Sequence, residues 1–350
     1  MNSKERTSIA LSRQLPDRIP VSGEFVPEVK KILMEHFHTD NYYDMCVKIG
    51  NDMLVYSTGI SASYYLREED EYVCPWGCRW KYFRNATGRY TEIINHPLSD
   101  DGDGKKLRAY RTPDPDAPEV YLPFRELMNR YGKTHFMCGS VACSIFEAAW
   151  YLHGMEETIE DMVLRPDYVK ELFDKTMQYT LRAGLRLIDE GADMIWLGDD
   201  VGMQERMLFS PAMWREFLKP RMAALIAAFK ARNPALLVAY HSCGKIFPII
   251  DDLIEIGLDV LNPIQPRAMD PAEIKRKYGN RLSFWGSIDI QGTLPHGNRE
   301  DIRAEVKLRM ETIGKGGGLL LAPAHNVQSD TSLENILTFY EAARELGRYQ

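Results

Sequence analysis

Residues 193–200 read DMIWLGDD and residues 236–244 read LLVAYHSCG. Each is a short apolar run that breaks abruptly into polar residues. Neither alternates apolar with polar, so both faces of each run have to be buried. That is the pattern of parallel strands covered by helices on both sides. Polar residues just past the ends of such strands stand where ligands meet the sheet.

Working outward, six more runs of this kind occur, at Ile19–Phe25, Asp52–Ser57, Thr134–Cys138, Leu258–Leu261, Leu282–Trp285 and Gly318–Leu321. Amphipathic helices separate the later ones. Pro166–Asp189 has proline at its start and Gly191 just beyond its end; Ser210-Pro211 reads as the cap and first residue of a helix running towards Arg232. Further helices are expected over Lys245–Ile256, Pro271–Tyr278, Glu300–Ile313 and Leu333–Leu346. Eight strands alternating with helices predict an α/β fold, a (β/α)8 TIM barrel, with a doubly wound open sheet as the alternative. The chain, 1–350, reads as one such domain.

Residues 59–130 depart from the pattern and are expected as an insertion between the second and third strands. The stretch RWKYFRNATGRY (79–90) has two β-rich arms around a glycine-containing loop, a hairpin signal. Packed over one barrel mouth, it would bring Trp76, Trp80, Tyr82 and Tyr90 to cover a substrate ring. Asn85-Ala86-Thr87 fits the glycosylation pattern, which carries no weight without a secretory leader.

Composition narrows the function. Lys plus Arg is 43 against 50 Asp plus Glu, a formal charge of −7, with no basic run, so nucleic acid is not an expected partner. The longest purely apolar stretch, Met222–Phe229, is far short of the roughly 20 residues that span a bilayer. The polar start MNSKERTSIALSR lacks the apolar centre of a secretory signal, so a cytoplasmic protein is expected. In that compartment the six cysteines are core residues, metal ligands or reactive thiols. Cys46, Cys138 and Cys143 read as core. Cys74 and Cys78, in CPWGC, lack the further ligands that a closed zinc site needs. The glycine-rich GKGGG at 314–318 lacks the ending of a P-loop and precedes a strand.

Polar residues gather at the strand ends. His241 and Cys243 lie two apart in extended chain, so they point the same way. An imidazole and a thiolate on one face suit zinc, although a capped helix start with a buried thiol is the alternative. A third ligand has to come from another strand end, and His325 is the best placed. Of Asp199 and Asp200, one is expected to face the mouth and the other to anchor backbone amides. Glu24 and Asp200 are the candidate catalytic carboxylates. Asn262, Gln265 and Asp289 are candidate substrate-binding residues.

These segments also carry a resemblance. GDDVGMQERMLFSPAMWREFLKPRMAALI (198–226), AYHSCGKIFPIIDDLIEIGLDVLNPIQP (239–266), FWGSIDIQGTLPHG (284–297) and GGGLLLAPAHNVQSDTSLENI (316–336) resemble the uroporphyrinogen decarboxylase superfamily, whose fold is a (β/α)8 barrel. It holds cofactor-free decarboxylases and zinc-dependent methyltransferases that work with a corrinoid protein. The decarboxylases begin with RQAGRYxPE, an arginine-rich grip on substrate carboxylates. Here the matching stretch is PVSGEFVPE (20–28), with Glu24 in place of arginine, and Thr58 stands where the decarboxylases have aspartate.

The methyltransferases use a His-x-Cys pair and a distant third ligand. His241 and Cys243 match the pair. The third ligand is cysteine in coenzyme M enzymes, and here that position is His325. The resemblance implies zinc on His241, Cys243 and His325, and a corrinoid supplied by a partner protein, since the chain has no DxHxxG signature. It further implies a small methyl donor, with a methyl ether or methoxylated aromatic favoured. A decarboxylase acting on a different substrate is the alternative.

Overall fold

The structure is a computed structural model and describes residues 1–84 and 88–349; the Asn85-Ala86-Thr87 pattern lies outside the described residues. In chain order the strands are β1 (Met53–Ser57), β2 (Glu71–Val73), β3 (Arg79–Arg84), β4 (Arg89–Asn95) and β5 (Phe136–Ser140). They continue with β6 (Met194–Gly198), β7 (Leu237–His241), β8 (Val260–Asn262), β9 (Ser283–Ile288) and β10 (Leu319–Pro323). Seven of them form one curled parallel sheet in the order β1-β5-β6-β7-β8-β9-β10.

The gap between β10 and β1 is filled by the extended segment around Val21. Ser22 N donates to Leu321 O at 3.0 Å on one side, and Asp52 N donates to Val21 O at 2.7 Å on the other. The sheet thus closes as a TIM-like barrel, but Ile19–Phe25 is not a ladder strand as expected; only single bridges at Val21 and Phe25 join it to its neighbours. The reason is local. Pro20 has no N–H to give, and Val21 N donates to the Asp52 side chain at 2.9 Å instead of to a backbone carbonyl.

Alternation along the strands sorts the side chains into two layers. Met53, Val55, Phe136, Cys138, Met194, Ala239, Val260, Trp285 and Leu320 pack together inside the barrel, with Leu11 of the helix Ser3–Leu11 among them. The intervening residues Leu54, Ile195, Leu197, Val238 and Tyr240 join the outer core beneath the helices. The inward set continues to the strand ends, so Ser57, Ser140, Trp196, His241 and Asn262 come out at the mouth.

The helix Pro166–Asp189 has the bounds expected of it. Ser210 caps its helix, its Oγ accepting from Met213 N, but the helix breaks into Pro211–Phe217 and Lys219–Arg232 because Pro220 lacks an N–H. Pro248 has a similar effect. The expected Lys245–Ile256 helix shrinks to a short turn followed by Ile250–Glu255.

Between β1 and β5, β2, β3 and β4 form an antiparallel sheet. A buried network fixes the segment that follows it to the barrel. His153 is 1% exposed, and its rings' nitrogens meet Leu98 O at 2.9 Å and Asp161 Oδ2 at 2.8 Å. No helix among the described residues is long and apolar enough to cross a membrane.

Candidate metal centre

His241 ends β7 and points inward by the strand period, and Cys243 follows on the turn that leaves it. Three backbone features shape that turn. Gly244 has φ +78° and reverses the chain. Gly202 lies so close that a Cβ there would meet Cys243 O at 2.4 Å. Ser242 Oγ accepts from Val201 N at 3.0 Å, and Lys245 N donates to Met203 O at 2.7 Å. The turn after β7 is therefore fastened along the turn after β6.

Among the described residues, His241, Cys243 and His325 form the one group of three or more His, Cys, Asp and Glu side chains able to share a metal ion; their donor atoms all lie within 4.8 Å of one another. Cys243 Sγ is 3.5 Å from His241 Nε2. Zinc bonds to nitrogen and sulfur in a tetrahedron would put two such donors about 3.6 Å apart, so this edge already has the spacing the ion needs. The His241 and His325 rings lie 6.0 Å apart between centroids, tilted by 62°.

The tautomer of His241 follows from its neighbour. Asn262 Nδ2 donates to Trp285 O at 3.0 Å, so Asn262 Oδ1 is the acceptor that faces His241 Nδ1 at 2.6 Å. Nδ1 then carries the proton and Nε2 keeps its lone pair, facing the thiol. Burial, with His241 beside it, holds His325 below its ordinary value, in the neutral form that ligates. Burial also pushes the Cys243 thiol up, aided by Asp200 and Glu147. A dication is the counter-charge that would release that proton. The donor set fits zinc.

Asp199 and Asp200 divide their work. Asp199 is fully buried, and its Oδ1 accepts from Ile145 N at 3.0 Å and Glu147 N at 2.9 Å. Burial raises it to about 7 despite those bonds. Asp200 lines the mouth, with Oδ1 accepting from Cys243 N at 2.7 Å and lying 3.4 Å from His241 Nε2.

The cavity above these groups measures about 560 Å³. Its aromatic walls are Phe25, Tyr64, Tyr65, Trp196 and Trp285. Glu24 lines it, with Tyr42 donating to its Oε2 at 3.2 Å, and burial raises its carboxyl to about 7 against the pull of Lys30 and Tyr42. Glu147 lines it too, held well above the usual carboxylate range by burial, Asp200 and Asp199.

The structure does not bring every expected residue here. Gln265 Oε1 accepts from Gly244 N at 2.6 Å and braces the metal turn. Asp289 pairs with Arg267 at 2.8 Å in a separate surface groove. Asn262, though at the mouth, has both ends of its amide committed to His241 and Trp285. Trp76 and Trp80 are 4% and 1% exposed, buried in the core rather than covering the cavity. Tyr64 and Tyr65, just after β1, provide the cover, and the Tyr64 hydroxyl contacts that of Tyr151. Cys74 and Cys78 face each other across a tight turn, Cys74 N donating to Cys78 O at 3.0 Å.

Glu147, Tyr64 and Tyr65 were not singled out from the sequence. Glu147 stands seven residues past β5, within reach of a strand-end search. The tyrosines carry no local signal.

The family model for uroporphyrinogen decarboxylase (URO-D) matches residues 78–346. The chain is 30% identical over 179 residues to the methylcobamide:CoM methyltransferase MtaA of Methanosarcina barkeri, covering 50% of this chain and 49% of that protein. It thus spans about half the length of the curated methyltransferase relatives it matches. A uroporphyrinogen decarboxylase of Trichodesmium erythraeum is 24% identical over 267 residues, covering 73% of this chain and 70% of that one. Among solved structures, a methyltransferase from Methanosarcina mazei superposes with a TM-score of 0.73 at 19% identity, covering 99% of both chains. That likeness concerns the fold.

Proposed function

We propose that this chain, which belongs to the uroporphyrinogen decarboxylase family, is a zinc-dependent methyltransferase acting between a small methylated donor and a corrinoid carried by a partner protein. The donor is a methyl ether or methoxylated aromatic, and the enzyme is of the O-demethylase type. A cytoplasmic location is part of this reading. The observation that carries it is the donor set of His241, Cys243 and His325, of which both histidines line an aromatic-walled cavity. The similarity to methylcobamide:CoM methyltransferases supports the corrinoid side.

His241, Cys243 and His325 would hold the zinc, which would supply a Lewis acid for the oxygen that loses its methyl group. The chain's own residues do the rest. Asn262 fixes the imidazole of His241, and Asp200 fixes the backbone of Cys243, so neither ligand has to be ordered when the donor arrives. Trp196 and Trp285, 4.5 Å apart, form an apolar wall that excludes water from the ligands. Asp200 and Glu24 are the polar groups that touch the donor.

Decarboxylation of uroporphyrinogen suits this cavity poorly. Glu24 replaces an arginine, and Glu147 and Asp200 add two more carboxyls. A like-charge contact in a desolvated site costs several kcal/mol.

The test is metal analysis of protein purified without chelator, then incubation with 2-methoxyphenol and a reduced corrinoid protein. One zinc per chain and methylation of the corrinoid are expected. Turnover of uroporphyrinogen, with no methyl transfer, would replace this reading by the decarboxylase one.

A further inference from the structure

The charged residues around the cavity are unevenly matched. Glu24, Glu147 and Asp200 line it, and the only lysine or arginine among the described lining residues is Lys30. Lys30 draws on Glu24 from a distance without forming an ion pair with it. Its Nζ sits 4.3 Å from the centroid of the Tyr42 ring, and no ion pair within 4.0 Å joins it to Glu24 among the described residues. Tyr42 donates to Glu24 Oε2 at 3.2 Å, and Glu24 lines the cavity. Glu24 stems from the first position of the barrel and His241 from the fifth, β7, across the mouth, while His325 follows β10 beside Glu24, where Val327 N donates to Glu24 O at 2.8 Å. Glu24 lines the same cavity as His241 and His325, so the rest of a molecule whose methylated atom lies at the ligands meets its carboxyl.

We propose that Glu24 selects the methyl donor by charge: it takes a hydrogen bond from a hydroxyl or ammonium group at the donor's far end, and donors bearing a carboxylate or sulfonate there are refused. Three features support this. Glu24 lines the cavity with no Lys or Arg in ion-pair contact among the described residues, whereas Asp200 Oδ1 holds Cys243 N at 2.7 Å beside the ligands. The lining holds no arginine with which to grip an anion in the bidentate way. The walls beside Glu24 are aromatic faces, which favour a cation over an anion. The inference rests on the methyltransferase reading for which end of the donor meets the ligands.

The test uses two pairs of ligands that differ in charge at the far end. The first pair is 3-methoxytyramine and vanillate, both methoxylated phenols. The second is 2-mercaptoethylamine and 2-mercaptoethanesulfonate, thiols that bind zinc through sulfur whatever the natural donor is. Affinities come from calorimetry on the zinc-loaded protein alone, with no turnover required. The cationic member of each pair is expected to bind at least about ten-fold more tightly, about 1.4 kcal/mol. Glu24→Gln should bring the ratio to within about three-fold at unchanged zinc content, and Lys30→Met, which removes the sole cation, should widen it.

Charge-blind binding by the unaltered protein, or an unchanged ratio in Glu24→Gln, overturns the proposal. If Glu24→Gln fails to fold, a ratio not widened by Lys30→Met overturns it. Discrimination within the thiol pair with no binding of either phenol upholds charge selection and removes the aromatic ether from the functional reading.

Discussion

Asn262 is the residue whose replacement tests the site most directly. It is 4% exposed and carries two hydrogen bonds, from His241 Nδ1 at 2.6 Å and to Trp285 O at 3.0 Å. Asn262→Ala removes both partners at once. The His241 proton is then free to move to Nε2, the atom that has to ligate. Loss of such an outer partner lowers metal affinity by about 10–100-fold, or about 1.4–2.7 kcal/mol. The stranded carbonyl and imidazole N–H cost folding stability a further 1–3 kcal/mol or so. Asn262→Leu separates packing from orientation, since leucine fills the space and accepts no proton.

Competition for zinc against a chromophoric chelator measures the affinity, on protein shown to be folded by its circular dichroism. Both variants should weaken zinc by at least about ten-fold. If Asn262→Leu binds zinc as the unaltered protein does, the amide only fills space and the tautomer argument falls.

Three further outcomes are expected. Cys243→Ser should lower zinc from one per chain to a small fraction, by elemental analysis; full occupancy would remove Cys243 from the site. Gly202→Ala should force the turn of Cys243 away from β6, since its Cβ would lie 2.4 Å from Cys243 O; overpacking of this kind costs about 1–3 kcal/mol, read as a fall in melting temperature together with weaker zinc binding. Glu24 should make stability fall with rising pH. Its carboxyl moves from 4.5 to about 7 on folding: below 4.5 both states hold the proton, between 4.5 and about 7 only the unfolded chain has released it and stability falls, and above 7 both are ionised and the loss is complete. Urea unfolding at about pH 5 and pH 8 should show a loss that Glu24→Gln lacks, on the order of 2 kcal/mol; equal slopes in the two proteins would contradict it.

The candidate metal ligands were legible because strand period and strand end are local properties. His241 continues the inward series of Leu237 and Ala239, and the break from apolar to polar residues after Tyr240 marks the rim. Asn262 was legible as a rim residue but not as a ligand's partner. Its role depends on β7 and β8 being neighbours in a register that sets His241 opposite Asn262. The failure at Ile19–Phe25 is also instructive. The run has the composition of a strand, but strand identity requires a repeated exchange of bonds, which Pro20 and the Asp52 side chain interrupt. The tyrosines that roof the cavity had no signal at all, because folding back of the segment after β1 brings them there.

That arrangement separates what the chain inherits as a floor from what it can exchange as a roof. The candidate ligands and their supports are encoded after residue 190, on the turn after β6, on β7, β8 and β9, and on the turn after β10. Tyr64 and Tyr65 come from a stretch between β1 and β5 that supplies none of them. Mutation in the roof can therefore reshape the cavity without disturbing the cluster of His241, Cys243 and His325 beneath it. Exchanging the side chains at Tyr64 and Tyr65 alone changes what a bound molecule meets overhead and leaves the strands that carry the cluster as they are.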